Sequence, residues 1–199
     1  MATTAQPHPD TNSKATGGTM AKAWGVKTAG AAAEPLTIER RTLRAEDVAI
    51  EISHCGICHS DLHMARNDWG MSLYPMVPGH EIVGTVTAVG SGVSKYRVGD
   101  RVAVGCLVDS DLSCDQCKDG HEQFCAGGAT LTYSGIDRQD GTLTQGGYSQ
   151  HIVVREEFVC RVPDSLDVAK DAPLLCAGIT TWSPLRKYGV GAGQKDGNA

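Results

Sequence analysis

Several features of membrane, secreted and nucleic-acid-binding proteins are missing from this sequence of 199 residues. No apolar run approaches the roughly 18 residues needed to span a bilayer. No cluster of lysine and arginine stands out, and the formal net charge is −5, which disfavours nucleic acids and anionic membranes as partners. The first 19 residues contain no apolar segment and no arginine. We therefore expect no secretory signal or transit peptide, and a cytoplasmic protein.

What the sequence does contain is eight cysteines, several of them clustered. In a reducing compartment, clustered cysteines indicate metal binding rather than disulfide bonds. The disulfide alternative needs an oxidising destination, which no targeting segment supports. Hydrophobic residues make up 41% of the chain and charged residues 21%, an ordinary composition for a domain with its own core.

Short segments of alternating polarity separated by glycine turns predict a mainly β fold, a barrel or a sandwich, with short peripheral helices. The segments predicted as strands are 48–52, 81–90, 101–105, 146–154 and 158–163. A short helix is predicted over 59–66. The pattern becomes mostly helical over 164–189, with Asp164 as the predicted N-cap.

The same pass along the chain predicts three regions. Residues 1–19 are small, polar and without periodicity, which is typical of a disordered tail. The folded unit is expected to start near Met20 and to form one zinc-binding domain over 20–175. Residues 176–199 are expected to form a helix and a linker.

Three separate segments offer ligands for one catalytic zinc, which usually takes three protein ligands and leaves one position open. They are HCGICHSDLH (54–63), VPGHE (77–81) and PLLCAGI (173–179). Each is weak alone. A buried cysteine such as Cys176 is often a small hydrophobe, His80 could be a turn histidine, and Cys55–Cys58 could be a redox pair without its usual βαβ context.

Four motifs, found in order along the chain, carry a resemblance to a known family. GICHSDLH (56–63), VPGHEIVG (77–84), VGDRV (98–102) and LLCAGITT (174–181) together resemble the zinc-dependent medium-chain alcohol dehydrogenases. The match runs from about residue 20 to residue 194 and is similar above all to the cinnamyl-alcohol-dehydrogenase-like, NADP-dependent aldehyde reductase branch. The resemblance implies a GroES-like barrel and an oxidoreductase that interconverts primary alcohols and aldehydes with NADP or NAD.

The resemblance also implies the site residues. Cys58, His80 and Cys176 match the ligands of the catalytic zinc, and Cys55 does not. The further roles that it implies are cofactor contact for His59 and Thr180, proton relay for Ser60 and His63, support of the zinc for Glu81 and a substrate contact for Trp69. Without the resemblance, His59 and His63 would be polar side chains on the exposed side of a helix. Glu81 would be a charge at the end of a strand, and Trp69 a core residue.

A second cluster has the spacing of a structural zinc site, Cys114-x2-Cys117-x7-Cys125. The family normally has a fourth cysteine three residues before the first of these, where this chain has Asp111. Asp111 could supply an oxygen ligand, Cys106 could swing in from upstream, or the site could be weak or empty. We favour Asp111, because it holds the matching position, and expect weaker binding than with four thiolates.

Hydride transfer also needs a cofactor domain, and the one Gly-rich candidate for it is Gly189–Gly193. It follows a helical pattern and precedes no helix, so it lacks the context of a dinucleotide fingerprint. We therefore expect the Rossmann domain to be absent from this chain, and the chain alone to show little or no turnover. The resemblance allows a homodimer in the full-length family member.

Two other functions fit parts of the sequence. The first alternative is a non-catalytic zinc-binding module left after truncation, which the missing nucleotide domain favours. The second is a chaperonin-like oligomeric module, which the barrel allows, but fold does not imply function. A chaperonin gives no reason for the three predicted zinc ligands.

Overall fold

The structure, a computed structural model, describes residues 18–194. The strands of this part are β1 (Thr19–Gly25), β2 (Glu34–Arg40), β3 (Asp47–Cys55), β4 (Ile82–Val89), β5 (Arg101–Val104), β6 (Leu107–Asp109), β7 (Thr130–Leu131), β8 (His151–Arg155) and β9 (Val159–Arg161). The α-helices are α1 (His59–Arg66), α2 (Asp115–Lys118), α3 (Val168–Asp171) and α4 (Ala177–Lys187). Three 3-10 helices lie at Glu122–Phe124, Glu156–Phe158 and Ala172–Leu175.

A five-stranded sheet in the order β8-β3-β4-β5-β9 forms the centre of the fold. Strands β1 and β2 form one two-stranded ribbon, and β6 and β7 form another. Every strand pair in residues 18–194 is antiparallel. The prediction of a mainly β fold with a few short helices is confirmed.

The core lies on the face of the sheet where the alternating residues of β3 and β4 meet. Val48 and Ile50 from β3 and Ile82 and Val86 from β4 are fully buried and share one apolar cluster. Because side chains alternate across a strand, the polar partners of these residues point away from this cluster. The alternation that predicted both strands thus also identifies the buried face.

The predicted strands around the core and the short helix over 59–66 are all present, but three details differ. The segment 146–154 becomes a strand only at His151, because Gly146 and Gly147 pack against the backbone of the 77–79 turn. Strands β1, β2, β6 and β7 were not predicted. Asp164 was wrong as the N-cap: the helix starts at Val168, and Asp167 accepts a hydrogen bond from the Ala169 amide.

Most of the predicted N-terminal tail and the last five residues of the predicted linker lie outside the described residues. The described chain starts beside β1, close to the predicted start of the folded unit. Each described helix is too short or too polar to cross a membrane.

Candidate metal centres and the family of the chain

The register of two neighbouring strands brings the first two predicted ligands together. Cys55, the last residue of β3, pairs with Ile82, the first residue of β4. Cys58 follows the end of β3 by three residues, and His80 precedes the start of β4 by two. Both therefore lie at the same end of this strand pair. Gly79 has a φ of +102°, a backbone conformation that favours glycine and that turns the chain into β4.

The third predicted ligand comes from a segment far along the chain. The 3-10 helix that ends at Leu175 packs on the sheet through Ala172, which joins Val83 of β4 and Ala103 of β5 in one apolar cluster. Cys176 follows at once and is the N-cap residue of α4. Packing against the back of β4 and β5 thus delivers Cys176 to the place where Cys58 and His80 meet.

The three donor atoms have the geometry of a tetrahedral metal site. The donor atoms of Cys58, His80 and Cys176 all lie within 4.8 Å of one another. The two Sγ atoms are 3.8 Å apart, and two sulfurs that each lie about 2.3 Å from one tetrahedral zinc are separated by about 3.8 Å. His80 Nε2 is buried and has no hydrogen-bond partner within the described chain. A buried nitrogen without a partner is costly, so a metal in this place would satisfy it.

A buried carboxylate that sequence reasoning missed lies behind these ligands. Asp61 is 4% exposed, and its Oδ2 accepts a hydrogen bond of 3.0 Å from the Cys58 amide. Its Oδ1 accepts a hydrogen bond from the Gly79 amide and lies 3.4 Å from His80 Nδ1. The spacing Cys58-x-x-Asp61 was the available signal, because it is the spacing of a capping box at a helix N-terminus.

The charges around the first centre favour a cation at His80 and a thiolate at Cys58. Burial lowers the pKa of His80, but the nearby Asp61 carboxylate and Cys106 thiol outweigh it and raise the pKa to about 12. Burial raises the pKa of the Cys58 thiol, but the nearby Ser60, His80 and Cys176 groups outweigh that and lower it overall. Thiolate and imidazole nitrogen are the ligand types that zinc prefers.

The first centre opens onto a mostly apolar cavity of about 250 Å³. Ser60 and Trp69 line it, together with both His80 and Cys176. Trp69 is 53% exposed, so it lies at the surface of the fold and not in the core. The structure thus places two of the predicted helper residues beside the metal ligands.

The predicted cofactor contact His59 and the predicted relay residue His63 form a stack outside the cavity lining. His59 and His63 stack with ring centroids 4.7 Å apart, and the His63 ring lies 5.1 Å from that of Trp69. Nδ1 of His63 is 2.8 Å from Asp68 Oδ2. His63 is therefore held between the mouth of the cavity and the surface.

The remaining predicted residues are split between the centre and the surface. Glu81 is 1% exposed, and its Oε1 accepts a hydrogen bond from the Ala177 amide, 3.3 Å away, at the start of α4. It lies directly behind Cys176. Thr180 lies one turn into α4 with an exposed side chain, and it is not part of the cavity lining.

Two further cysteines near this centre differ from the ligands. Cys55 Sγ lies under the backbone of Gly79 and Gly147 and donates to the Gly56 carbonyl. Burial raises the pKa of the Cys55 thiol to about 12, so it stays protonated. Cys106 lines the cavity of the first centre, and the alternative in which it completes the second cluster is not the arrangement observed.

The second cluster is formed within one short loop. One ligand atom each from Asp111, Cys114, Cys117 and Cys125 lies within 4.8 Å of the others. Asp111 Oδ1 accepts hydrogen bonds from the amides of Ser113 (2.8 Å) and Cys114 (2.9 Å). These bonds lower the pKa of Asp111 well below its usual range, so its carboxylate is charged beside the three thiols.

The loop that carries the second cluster, residues 110–129, is called the lobe. Two of its backbone amides donate hydrogen bonds to cysteine sulfurs. The Asp111 amide donates to Cys125 Sγ, and the Ala126 amide donates to Cys114 Sγ, both at 3.4 Å. The bond from Ala126 is the largest cause of a lowered pKa for the Cys114 thiol. These amides therefore favour a thiolate at Cys114.

Comparisons with known proteins agree with this geometry. The sequence model described as "Alcohol dehydrogenase GroES-like domain" matches residues 44–164. An NADP-dependent alcohol dehydrogenase C of Mycolicibacterium smegmatis is 58% identical over 171 residues, which are 84% of this chain and 49% of the relative.

Solved structures give the same result. A cinnamyl alcohol dehydrogenase of Sorghum bicolor superposes with a TM-score of 0.84 at 45% identity, over 86% of this chain and 49% of the other. A cinnamyl alcohol dehydrogenase of Helicobacter pylori, in complex with NADP(H), gives 0.85 at 43% identity, over 88% of this chain and 51% of the other. The chain thus spans about half the length of the relatives it matches.

The matched family model covers more than half of the chain, and the predicted resemblance is confirmed. The chain belongs to the zinc-dependent medium-chain alcohol dehydrogenases and carries their GroES-like domain.

Proposed function

We propose that this chain is the zinc-holding and substrate-binding part of an oxidoreductase that interconverts primary alcohols and aldehydes with a nicotinamide cofactor. One observation carries the proposal. Donor atoms from Cys58, His80 and Cys176 meet at the edge of an apolar cavity, and Nε2 of His80 is buried without a hydrogen-bond partner in residues 18–194. Three ligands beside an accessible cavity are the arrangement of a catalytic zinc, whereas structural zinc is enclosed by four.

A zinc ion bound here would supply a Lewis acid that polarises an aldehyde carbonyl and lowers the pKa of an alcohol. The chain's own residues supply the rest. The Ser60 hydroxyl lies in the cavity and can take the alcohol proton, and His63, near the surface beside Asp68, can pass it to solvent. Histidine suits this task because its ordinary pKa lies near neutrality.

The cavity favours an apolar substrate of moderate size. Met64, Met71, Leu131 and Tyr133 line it beside Trp69. An aromatic or aliphatic primary alcohol would bury its chain against these side chains while its oxygen faces the ligands. We propose Trp69 as the substrate contact at the mouth.

NADP(H) is the cofactor that we propose, because matched relatives are named for it or were solved with it. Thr180 on α4 and His59 on α1 remain the proposed contacts of this chain with the nicotinamide end. Both side chains are exposed and are therefore accessible to a cofactor.

We propose that the lobe formed by Asp111, Cys114, Cys117 and Cys125 holds a second, structural zinc. Four donors enclose this site, and residues of the lobe contribute little apolar packing. A metal can replace a missing core in such a loop. Because all the ligand cysteines must stay reduced, a reducing compartment such as the cytoplasm fits both sites.

Cobalt substitution tests the proposed reaction site without requiring turnover. Co²⁺ replaces zinc in the purified chain, and its visible absorption reports changes in its ligands. We expect a primary aromatic alcohol or aldehyde to shift the spectrum in the wild-type chain and in Cys114→Ser, but not in Cys58→Ser. A spectrum that no alcohol or aldehyde changes would indicate a non-catalytic zinc module and overturn the proposal.

A hydride-transfer assay tests the reaction itself. A protein that carries this chain is given NADPH and an aromatic aldehyde, and the nicotinamide absorbance is followed. We expect oxidation of NADPH that Cys58→Ser abolishes. Oxidation that survives Cys58→Ser unchanged would contradict the assigned site.

A further inference from the structure

The hydroxyl of Tyr148 lies behind the first metal centre, and the proposed reaction does not use it. It donates a hydrogen bond of 2.7 Å to Asp61 Oδ2. The main chain of Tyr148 is fixed on both sides: its amide donates to the Pro78 carbonyl, and its carbonyl accepts from the Trp24 amide of β1. The hydroxyl is therefore presented to Asp61 from a rigid support.

Asp61 connects this hydroxyl to two of the three metal ligands. Its Oδ2 also accepts from the Cys58 amide, and its Oδ1 accepts from the Gly79 amide and faces His80 Nδ1. Four donors therefore surround one buried carboxylate, which is about its full capacity. The position of the carboxylate decides which nitrogen of His80 faces the two sulfurs.

We infer that Tyr148 is a positioning residue of the metal centre: its hydroxyl holds Asp61 so that His80 presents Nε2, and Cys58 its sulfur, to the metal. The inference rests on the proposed zinc site. It extends a metal–histidine–carboxylate arrangement by one residue, from a segment that no zinc motif covers.

The physical reason is the number of donors on Oδ2. Without the hydroxyl, Oδ2 keeps the Cys58 amide but loses a donor at 2.7 Å, and a buried carboxylate with an unused lone pair can rotate to find another. Rotation would move Oδ1 away from His80. Burial and the Asp61 charge raise the pKa of Tyr148 well above its usual range, so the hydroxyl keeps the proton that it donates.

A simpler role for Tyr148 is packing. A Cβ added at Gly79 would lie 2.8 Å from Tyr148 Cδ1, so the ring packs closely against the turn before His80. Tyr148→Phe keeps the ring and removes only the hydroxyl, which separates the two roles.

The test measures zinc affinity by competition with a chromophoric chelator in the purified chain. We expect Tyr148→Phe to weaken zinc at the first centre about tenfold, the lower end of the range for a lost supporting contact. The matched control is Tyr74→Phe, whose hydroxyl bonds only to the Met64 and Ala65 carbonyls of α1. We expect this control to leave zinc affinity unchanged, and the lobe site to be unchanged in both variants.

A second arm asks whether Tyr148 acts through Asp61. We expect Asp61→Asn alone to weaken zinc binding more than Tyr148→Phe, and the two changes together to be no worse than Asp61→Asn. Additive effects would overturn the inference. So would a Tyr148→Phe variant that loses thermal stability like Tyr74→Phe but keeps its zinc affinity and its Co²⁺ spectrum.

The outcomes for the two proposals are distinguishable. A wild-type chain that binds no metal through Cys58 overturns the proposed function. If the wild-type chain and Tyr148→Phe bind metal at the first centre equally tightly, only the role of Tyr148 is overturned.

Discussion

The two cysteine clusters reach similar ligand distances by different routes. Cys58, His80 and Cys176 come from three segments far apart in sequence, and the pairing of β3 with β4 and the packing behind these strands bring them together. The lobe ligands lie within Asp111–Cys125. Of the three apolar clusters in residues 18–194, none takes a member from 110–129. The fold therefore positions the first centre, while the lobe depends on its own donors.

The groups behind the ligands differ in the same way. Asp61 and Glu81, both almost fully buried, support the first centre through hydrogen bonds to Cys58 and to the start of α4. In the lobe, backbone amides donate to the sulfurs of Cys114 and Cys125. A site supported by buried carboxylates keeps its shape without metal, whereas a loop closed on sulfur needs the metal to stay closed. Distances between the ligand atoms therefore do not show which of the two centres keeps its shape without metal.

The largest expected effect is the loss of one whole metal ion. We expect two zinc ions per wild-type chain and one in Cys58→Ser, because a serine hydroxyl does not replace a thiolate ligand. Cys55→Ser is the matched control, since Cys55 packs under Gly79 and stays protonated. Metal analysis of the purified chains measures both. Zinc lost from Cys55→Ser, or two zinc ions in Cys58→Ser, would contradict the assignment of ligands.

Removal of all metal should separate the two clusters. After treatment with a strong chelator, we expect amides of residues 110–129 to exchange with solvent nearly unprotected, because this lobe lacks apolar packing. Amides of β3, β4 and β5 should keep most of their protection. Hydrogen exchange followed by mass spectrometry measures both regions in one sample. A lobe that stays protected without metal would remove the distinction between the centres.

Replacement of Asp111 tests whether its carboxylate binds the metal or only accepts hydrogen bonds from the backbone of the turn. Asp111→Cys should tighten zinc in the lobe, and Asp111→Ala should weaken it by more than the about 10- to 100-fold that a lost supporting contact costs. Asp111→Asn is the control, because it keeps an oxygen acceptor for the Ser113 and Cys114 amides. If Asp111→Asn binds zinc as tightly as wild type, the carboxylate charge is not required and Asp111 acts as a turn residue. Competition with a chelator measures all three.

Features formed within one segment could be predicted from the sequence more surely than contacts between distant segments. Alternation identified β3 and β4, and the short helix over 59–66 was predicted with its observed bounds. The spacing of cysteines 114, 117 and 125 identified the lobe. The first centre needed the family resemblance, because no pattern within one segment shows that residue 176 meets residue 58.

The residues missed were those that act through burial. Asp61 has the spacing of a capping box but Tyr148 has no motif, and only the fold shows that the two meet behind His80. Cys106, the less-favoured alternative to Asp111 for the lobe, lines the cavity of the first centre, which its distance from either cluster in sequence does not show. The helix after residue 163 was predicted, but its N-cap was assigned to the wrong aspartate.

The smallest expected effect concerns Asp167, the observed N-cap of α3. It tests the segment that leads to Cys176. Asp167→Ala removes the bond from the Ala169 amide and should destabilise α3 by about 1 kcal/mol, as loss of a cap does. Asp164→Ala is the control, because Asp164 caps no helix and its side chain is fully exposed. If the position of Cys176 depends on this segment, zinc affinity at the first centre should fall by up to about fivefold in Asp167→Ala, the equivalent of that energy, and stay unchanged in Asp164→Ala. The lobe affinity should not change in either variant, because no apolar cluster of residues 18–194 joins α3 to the lobe. Equal zinc loss from both centres would mean that the two clusters share more of the fold than their separate routes imply.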